Sequence, residues 1–174
     1  VYGLAGDARR EEVVRKIFEV KMRPLIDPLI VHVSNLEQTE EIAEVPPELE
    51  DLATQFWPGP LPVVLPKKAV VPDLVTAGLP SVAVRMPAHP FIREVLQRSG
   101  LFLAAPSAYP FGYRSRTCDE QVLESLGEKV THIVDGGQCV YGIESPVLGL
   151  QNPQNPVLLR PGPVGQVQMD RYKI

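Results

Sequence analysis

The sequence predicts an α/β domain built on a mixed sheet. Short apolar stretches typical of strands alternate with stretches whose apolar spacing is helical. Several connections, notably the one after Val134, are too short to hold a crossover helix, so some neighbouring strands should run antiparallel. The 174 residues show no internal repeat and no shift of composition. They therefore predict a single domain over residues 1–174.

The elements of the first half follow from apolar spacing and from proline. We expect Asp7 to cap a helix that runs to about Lys21, because Val13, Val14, Ile17 and Phe18 give that stretch one apolar stripe. The other elements predicted here are a strand over 29–33, helices over 37–44 and 48–56, a stiff corner over 57–60 and a strand over 63–65.

The second half continues the alternation. A strand over 81–85 ends before Pro87, and a helix runs from Pro90 to about Arg98. A strand over 101–105 is followed by a stretch to Thr117 that is rich in Pro, Gly, Ser and Tyr, too long for a plain connection and therefore a candidate binding loop. The last predicted elements are a helix over 119–126 and strands over 130–134, 144–150 and 157–160.

Composition narrows the function classes. Hydrophobic residues make up 44% and charged residues 22%, which is typical of a globular protein, and the net charge of −4 disfavours a broad nucleic-acid-binding face. No apolar stretch is long enough to span a membrane. Two cysteines without a CxxC motif favour a reducing, cytoplasmic compartment, with a disulfide between Cys118 and Cys139 as the less favoured alternative.

Familiar catalytic and metal motifs are absent from the sequence. His32, His89 and His132 lack metal-ligand spacing with the cysteines, so we expect no resident metal. The sequence also has no P-loop, no G-x-G-x-x-G and no G-x-S-x-G.

Three arginines stand beside prolines at the ends of predicted elements. They are Arg23, Arg85 and Arg160, in a chain whose 19 prolines are about twice the ordinary share. Proline restricts the backbone on both of its sides, so each guanidinium should start from a rigid position. Arginine grips phosphate or carboxylate with two parallel hydrogen bonds, which predicts an anion site. Three unrelated surface salt bridges are the alternative interpretation.

A second pattern is a cluster of hydroxyl side chains after the strand that ends at Ala105. Its members are Ser107, Tyr109, Tyr113, Ser115 and Thr117. Hydroxyls on a loop beyond a strand end suit hydrogen bonding to a nucleotide or an amino acid. The alternative is that these residues only serve the turns of the loop.

Five segments, in order, resemble one known family. They are K-M-R-P followed by P-L-I-V-H over 21–32, F-W-P-G-P-L-P over 56–62, S-V-A-V-R-M-P over 81–87, A-P-S-A-Y over 105–109, and G-I-E-S-P-V with L-R-P-G over 142–162. This ordered set covers nearly the whole chain and resembles the YrdC-like family, the threonylcarbamoyl-adenylate synthases.

The resemblance implies a twisted mixed sheet with flanking helices and a concave, positive pocket. It also implies a nucleotidyltransferase that makes threonylcarbamoyl-AMP and pyrophosphate from L-threonine, bicarbonate and ATP with Mg²⁺. That reaction is the first step in the threonylcarbamoyladenosine modification of tRNA. The implied partners are tRNA or a downstream threonylcarbamoyl-transfer complex, with no membrane.

The resemblance also assigns residues. The ATP-side positions are Lys21, Arg23, Asp27, Ser107, Ser115 and Arg160, with Ser81 where an ATP-contacting Thr is usual. Lys21 and Arg23 are the catalytic candidates, since they can neutralise charge that develops on the leaving pyrophosphate. The threonine-side positions are His32, Arg85, Ala105 and Ser145.

The sequence departs from the family pattern at several positions. Tyr109 stands in place of Asn, Pro146 and Pro62 in place of Thr, and Arg116 in place of Pro. Because the chain starts at Val1, the domain is expected to lack the family's first strand motif, P-T-[DE]-T. These departures leave a second hypothesis, a nucleotide- or RNA-binding paralogue with lost or altered synthase activity. A carbamoyl-transfer domain of a larger maturation protein is disfavoured, because nothing flanks the domain in this sequence.

Overall fold

The computed structural model describes residues 1–110 and 116–162. In this part of the chain seven strands form one sheet in the order β1-β5-β2-β4-β3-β6-β7. The strands are β1 (Gly6–Asp7), β2 (Ile30–His32), β3 (Val63–Pro66), β4 (Ser81–Arg85), β5 (Leu103–Ala104), β6 (Val147–Gly149) and β7 (Val157–Arg160). The pairs β2/β4 and β3/β6 are parallel and the other neighbours antiparallel. The predicted mixed α/β sheet is confirmed.

Six α-helices accompany the strands in the described ranges. They are α1 (Glu11–Lys21), α2 (Leu36–Ile42), α3 (Pro47–Phe56), α4 (Asp73–Thr76), α5 (Pro90–Ser99) and α6 (Asp119–Leu126), the last followed by a 3₁₀ turn over Gly127–Lys129. α1 buries Val14, Ile17 and Phe18 of the predicted stripe, whereas Val13 is half-buried. None of these helices is both long and apolar enough to cross a membrane.

The expectation that Asp7 caps the first helix is wrong. Asp7 belongs to β1, where it pairs with Leu103, and its carboxylate accepts a hydrogen bond from the backbone N–H of Arg9 at 3.0 Å. α1 begins only at Glu11 and has no side-chain cap at Arg10. The strand pairing therefore decides the conformation of Asp7, and its capping propensity has no helix end to act on.

The expected strand over 130–134 is also wrong. Val130 and Ile133 pack instead against the small apolar cluster that contains Val122 and Leu126 of α6. Their backbone has no strand partner among the described residues. The apolar spacing therefore reflects packing beside α6, which a β-propensity argument cannot distinguish from a buried strand.

The sheet separates the core from an open face. Along β4, Val82 and Val84 are buried in the main core, whereas Ser81, Ala83 and Arg85 are half-buried on the other side. β3 alternates in the same way, since side chains in a strand point to opposite faces with a period of two. Each buried Val or Leu stabilises the fold by about 1.5–3 kcal/mol. The opposite face is left available for a binding site.

Candidate functional site

A cleft of about 1470 Å³ lies over the open face of the sheet. Its floor is formed by outward side chains of the central strands, Ile30, Val64, Ala83 and Val147. Its walls are the C-terminal end of α1 with the loop that follows, the segment 105–109 after β5, the coil over 129–145 and the end of β7.

The structure brings the sequence-predicted site residues together in this cleft. Those that line it are Lys21, Arg23, Asp27, His32, Ser81, Arg85, Ala105, Ser107, Ser145 and Arg160. Ser115 lies outside the described residues. Every described candidate therefore faces one space, although the candidates come from four of the five ordered segments.

Lys21, the last residue of α1, ties the helix to the segment after β5. Its side chain is buried, and Nζ donates hydrogen bonds to the carbonyl oxygens of Ser107 and Tyr109, the latter at 2.5 Å. Nζ also lies 4.5 Å from the centroid of the Tyr109 ring, within the range of a cation–π contact. Burial, with a smaller contribution from Arg23, lowers the pKa of Lys21 to about 8. The Lys21 ammonium is therefore charged at neutral pH but loses its proton in mildly alkaline solution.

Arg23 is held by the loop that ends α1. The helix stops at Met22, whose backbone is left-handed with φ of 52°. Arg23 Nη2 lies 2.9 Å from Asp27 Oδ2 and donates to the carbonyl of Pro28 at 3.0 Å, while Nε donates to the carbonyl of Asp27 at 3.2 Å. The loop thus fixes the guanidinium by a carboxylate and two carbonyls.

His32 and Arg85 are neighbours across the parallel pair β2/β4, where the register places them opposite each other. Arg85 Nε donates to the carbonyl of Gly59 at 2.8 Å. Burial, with a smaller contribution from the charge of Arg85, lowers the pKa of His32 to about 3, although backbone groups of Leu103 and Ile30 oppose the shift. His32 is therefore neutral at physiological pH, and its buried Nδ1 has no hydrogen-bond partner among the described residues.

Arg160 lies at the end of β7 and contacts the segment that enters β6. Its Nε donates to the carbonyl of Ser145 at 2.8 Å, and Nη2 lies 3.5 Å from Ser145 Oγ. Pro146 is buried against Gly162, where a Cβ would lie only 2.2 Å from the Pro146 nitrogen. Glycine at 162 thus allows the close approach that brings Arg160 to Ser145.

Sequence reasoning missed Glu144, which connects several of these groups. Its Oε1 accepts hydrogen bonds from Ser107 Oγ at 2.5 Å and from Tyr109 OH at 2.8 Å, and its Oε2 lies 3.8 Å from Arg160 Nη2. Glu144 is part of the G-I-E-S-P-V segment and the only acidic residue of the sequence between Asp135 and Arg160. An isolated carboxylate beside predicted anion-binding arginines was the available signal.

The coil over 135–137 is anchored at the rim by Tyr2, another residue without a sequence-based role. Tyr2 OH accepts a hydrogen bond from the N–H of Gly136 and donates one to the carbonyl of Gly137, both at 2.9 Å. Nε2 of His89 lies 3.2 Å from the carbonyl oxygen of Gly136. These contacts hold the coil against the start of the chain.

The positions that depart from the family pattern lie both in and around the cleft. Tyr109 lines it and contacts Lys21 and Glu144, as described above. The Pro62 carbonyl accepts a hydrogen bond from the N–H of Leu148 at 3.0 Å and so joins β6 to the residue before β3. Arg116 has a buried Nε with no partner among the described residues.

Across residues 1–110 and 116–162, no group of three His, Cys, Asp or Glu side chains is placed to hold a metal ion.

The fold and the cleft together define an α/β domain whose mixed sheet carries a cluster of four cations on its open face. The family model for Sua5, YciO and YrdC proteins, described as "Telomere recombination", matches residues 1–162. The chain therefore belongs to the Sua5/YciO/YrdC family, and the resemblance inferred from the ordered motifs is confirmed.

Named relatives agree with this assignment. The chain is 48% identical over 163 residues to threonylcarbamoyl-AMP synthase of Pyrococcus abyssi, covering 93% of this chain and 48% of the relative. It is 43% identical over 172 residues to threonylcarbamoyl-AMP synthase of Bacillus subtilis, covering 98% of this chain and 49% of the relative. The chain thus spans about half the length of these relatives.

Solved structures share the fold. The crystal structure of P. abyssi Sua5 complexed with L-threonine matches with a TM-score of 0.93 and 46% identity, covering 98% of this chain and 50% of that one. The crystal structure of Escherichia coli YciO matches with a TM-score of 0.83 at 20% identity, covering 95% and 80% of the two chains, which shows the fold alone.

Proposed function

We propose that this domain forms threonylcarbamoyl-AMP and pyrophosphate from L-threonine, bicarbonate and ATP. The observation that carries the proposal is the convergence of both predicted sets of residues, the ATP side and the threonine side, on one cleft. Relatives at 43–48% identity are named threonylcarbamoyl-AMP synthases. The structure of a relative bound to L-threonine supports an amino-acid site in this fold.

On the ATP side, Lys21, Arg23 and Arg160 supply positive charge around the phosphates. Each cation is already fixed by backbone carbonyls, so binding a phosphate through its remaining N–H groups would cost little side-chain entropy. Ser81 and Ser107 add hydroxyl donors at two points of the cleft wall. Ser115 remains a predicted ATP-side residue.

On the threonine side, Arg85 suits the amino-acid carboxylate, because its Nε is held by Gly59 and its terminal nitrogens can form a two-point contact. Neutral His32 beside it can hydrogen bond without adding a charge to the site. Ser145 and Ala105 border the same space. The proposed threonine would thus lie over β2 and β4, next to the cations of the ATP side.

The chemistry requires positioning more than a nucleophilic side chain. The threonine amine adds to bicarbonate with loss of water, and an oxygen of the resulting carbamate attacks the α-phosphorus while pyrophosphate leaves. Holding the three substrates together lowers the entropic part of the barrier. Lys21 and Arg23 stabilise negative charge on the leaving pyrophosphate. Mg²⁺ would arrive with the nucleotide as part of the substrate, since phosphate oxygens are its usual partners.

The test is release of pyrophosphate from labelled ATP in the presence of bicarbonate. We expect release only when L-threonine is present, and loss of release when bicarbonate is omitted. Threonine-dependent release should also be lost in Arg85→Ala, whereas Arg98→Ala, which changes an exposed ion pair on α5, serves as the control. Absence of threonine-dependent release from the folded protein would refute the proposal.

The second candidate is a nucleotide- or RNA-binding paralogue without synthesis, which the ring of Tyr109 in the ATP-side wall favours. It predicts ATP binding without threonine-dependent turnover. Retention of labelled RNA with a steep salt dependence would support its RNA form, and no retention at low salt would remove it. A role with tRNA or a downstream transfer complex, and a cytoplasmic location, remain predictions of the resemblance.

A further inference from the structure

Glu144 contacts residues that the proposed function assigns to ATP binding. Ser107 Oγ donates to its Oε1 at 2.5 Å, and Arg160 Nη2 lies 3.8 Å from its Oε2. Tyr109 OH, from the same wall, donates to Oε1 at 2.8 Å. Two of these three side chains are ATP-side candidates, so the carboxylate holds hydrogen-bonding groups that a phosphate would need.

The charge of Glu144 acts on the cations of the cleft as a bound anion would. Burial lowers the pKa of Lys21, Arg23 and Arg85, and the negative charge of Glu144 opposes that shift in all three. Together with Arg160, four cations thus feel the charge of Glu144, and Asp27 is a second counter-ion for Lys21 and Arg23. An ATP phosphate that entered while Glu144 stayed in place would meet a like charge beside the donors that it needs.

The backbone around Glu144 allows the carboxylate to move. Glu144 lies in a coil, three residues before β6, and its side chain is about one third exposed. The preceding Ile143 is largely exposed, whereas Pro146 and the strand after it are buried. A rotation of the Glu144 side chain would therefore disturb neither the sheet nor the core.

We propose that Glu144 is an internal counter-ion that organises the phosphate-binding groups before ATP binds and gives up its contacts with Ser107 and Arg160 when a phosphate takes its place. The inference rests on the proposed function for the identity of the anion. Glu144 is thus a positioning residue whose carboxylate sets a threshold for anion binding: a ligand must supply at least as much negative charge to displace it. Ligands with a di- or triphosphate are favoured over those with a single weak charge.

The test measures the affinity of inorganic pyrophosphate by isothermal titration at pH 7 without Mg²⁺. Glu144→Gln keeps the shape and an acceptor oxygen but removes the charge, so it should bind pyrophosphate about fivefold more tightly than the unmodified protein, as expected for one partly exposed charge interaction. Asp135→Asn is the matched control, because it removes a charge at the rim, beside Tyr2, and should change the affinity less than about twofold. Adenosine, which has no phosphate, should bind both proteins equally.

A gain of affinity cannot come from misfolding, so the expected result separates the proposal from a merely structural role. Equal or weaker pyrophosphate binding by Glu144→Gln would overturn it, as would an equal gain in Asp135→Asn or no pyrophosphate binding by any of the three proteins. The assay contains neither threonine nor bicarbonate. A failure of synthesis would therefore refute the proposed function and leave this comparison of affinities intact.

Discussion

Backbone carbonyls hold four of the cations that line the cleft. Lys21, Arg23, Arg85 and Arg160 each donate at least one hydrogen bond to a main-chain oxygen. A carbonyl is neutral, so it orients the cation without cancelling its charge, and the unused donors remain available to a ligand. The cleft is therefore preorganised for anions at the level of single side chains.

Arg85 and Arg23 should separate the two ligand sides. Arg85→Ala should weaken threonine binding more than ATP binding, and Arg23→Ala should do the reverse. Each larger loss should be on the order of tenfold to a hundredfold, the worth of a charge-assisted hydrogen-bond pair. Isothermal titration of both ligands against both variants measures it. Equal losses of both ligands in both variants would contradict the assignment of sides.

Lys21 should make nucleotide binding depend on pH. Its pKa of about 8 lies below the ordinary value because the ammonium is buried, so the cation is lost as the pH rises through that range. If only the charged form binds phosphate, ATP affinity should fall roughly eightfold between pH 7.5 and 9. Titration calorimetry of ATP across this range measures the fall. Lys21→Met should bind more weakly but without this pH dependence, and a steep fall that persists in Lys21→Met would assign the titration to another group.

At the scale of elements, the corner over Trp57–Leu61 connects core packing with the site. Trp57 is buried and its Nε1 donates to the carbonyl of Leu61 at 2.6 Å. Gly59 donates its N–H to the Met86 carbonyl at 2.9 Å and offers its own carbonyl to Arg85. The corner is thus hydrogen bonded to both the backbone and the side chain at the end of β4, and it positions the Arg85 side chain over the sheet.

Gly59→Ala should loosen this corner. A Cβ at this position would lie 2.0 Å from the carbonyl oxygen of Phe56, so the backbone must shift. We expect the free energy of unfolding to fall by about 1–3 kcal/mol, with weaker threonine binding because Arg85 loses its anchor. Denaturant unfolding and threonine titration measure both effects.

Gly142→Ala is the matched control for the corner, since its Cβ would meet only an ordinary contact at 3.7 Å from Thr117 Cγ2. Its stability should stay within about 0.5 kcal/mol of the unmodified protein. A Gly59→Ala protein as stable as this control, with unchanged threonine affinity, would show that the corner does not position Arg85.

The sequence was sufficient for elements that carry their own pattern. α3 and α5 begin at or next to a proline, and β4 alternates, so their bounds were predicted to within one or two residues. β1 has two residues and α4 has four, too few for a periodic signal. The segment over 130–134 failed because its apolar residues pack on α6 without a strand partner.

The site shows the same division. Cleft residues within ordered motifs, such as Arg85 and Ser145, were found from the sequence because the motifs keep their order. The contacts of Glu144 with Ser107 and Tyr109 join residues 37 and 35 positions apart. No local pattern reports such a contact, since it depends on how β5 and β6 lie in the folded sheet.

At the scale of the whole molecule, charge is distributed unevenly. The sequence carries a net charge of −4, yet the described part of the chain concentrates Lys21, Arg23, Arg85 and Arg160 around one cleft. Such an arrangement focuses a positive potential on a small concave area and leaves the total acidic. It suits a compact polyanion such as ATP better than an extended nucleic-acid backbone.

The free energy of unfolding of the whole domain should depend on pH because of His32. The pKa of this buried ring is about 3 in the folded chain, so between that value and the ordinary pKa near 6.5 the unfolded chain binds a proton that the folded chain does not. Stability therefore falls as the pH decreases through this window, by about 1.6 kcal/mol between pH 6.5 and 5 from this group.

Chemical denaturation at several pH values tests this linkage, with His32→Gln as the variant. His32→Gln should lose the contribution of His32 to the slope, whatever its stability at pH 7, because glutamine has no proton to bind. His89→Gln, which replaces an exposed histidine at the start of α5, is the matched control variant. If all three proteins lose stability in parallel below pH 6.5, the acid sensitivity comes from other groups. Burial of neutral His32 then makes no measurable contribution to the loss of stability at low pH.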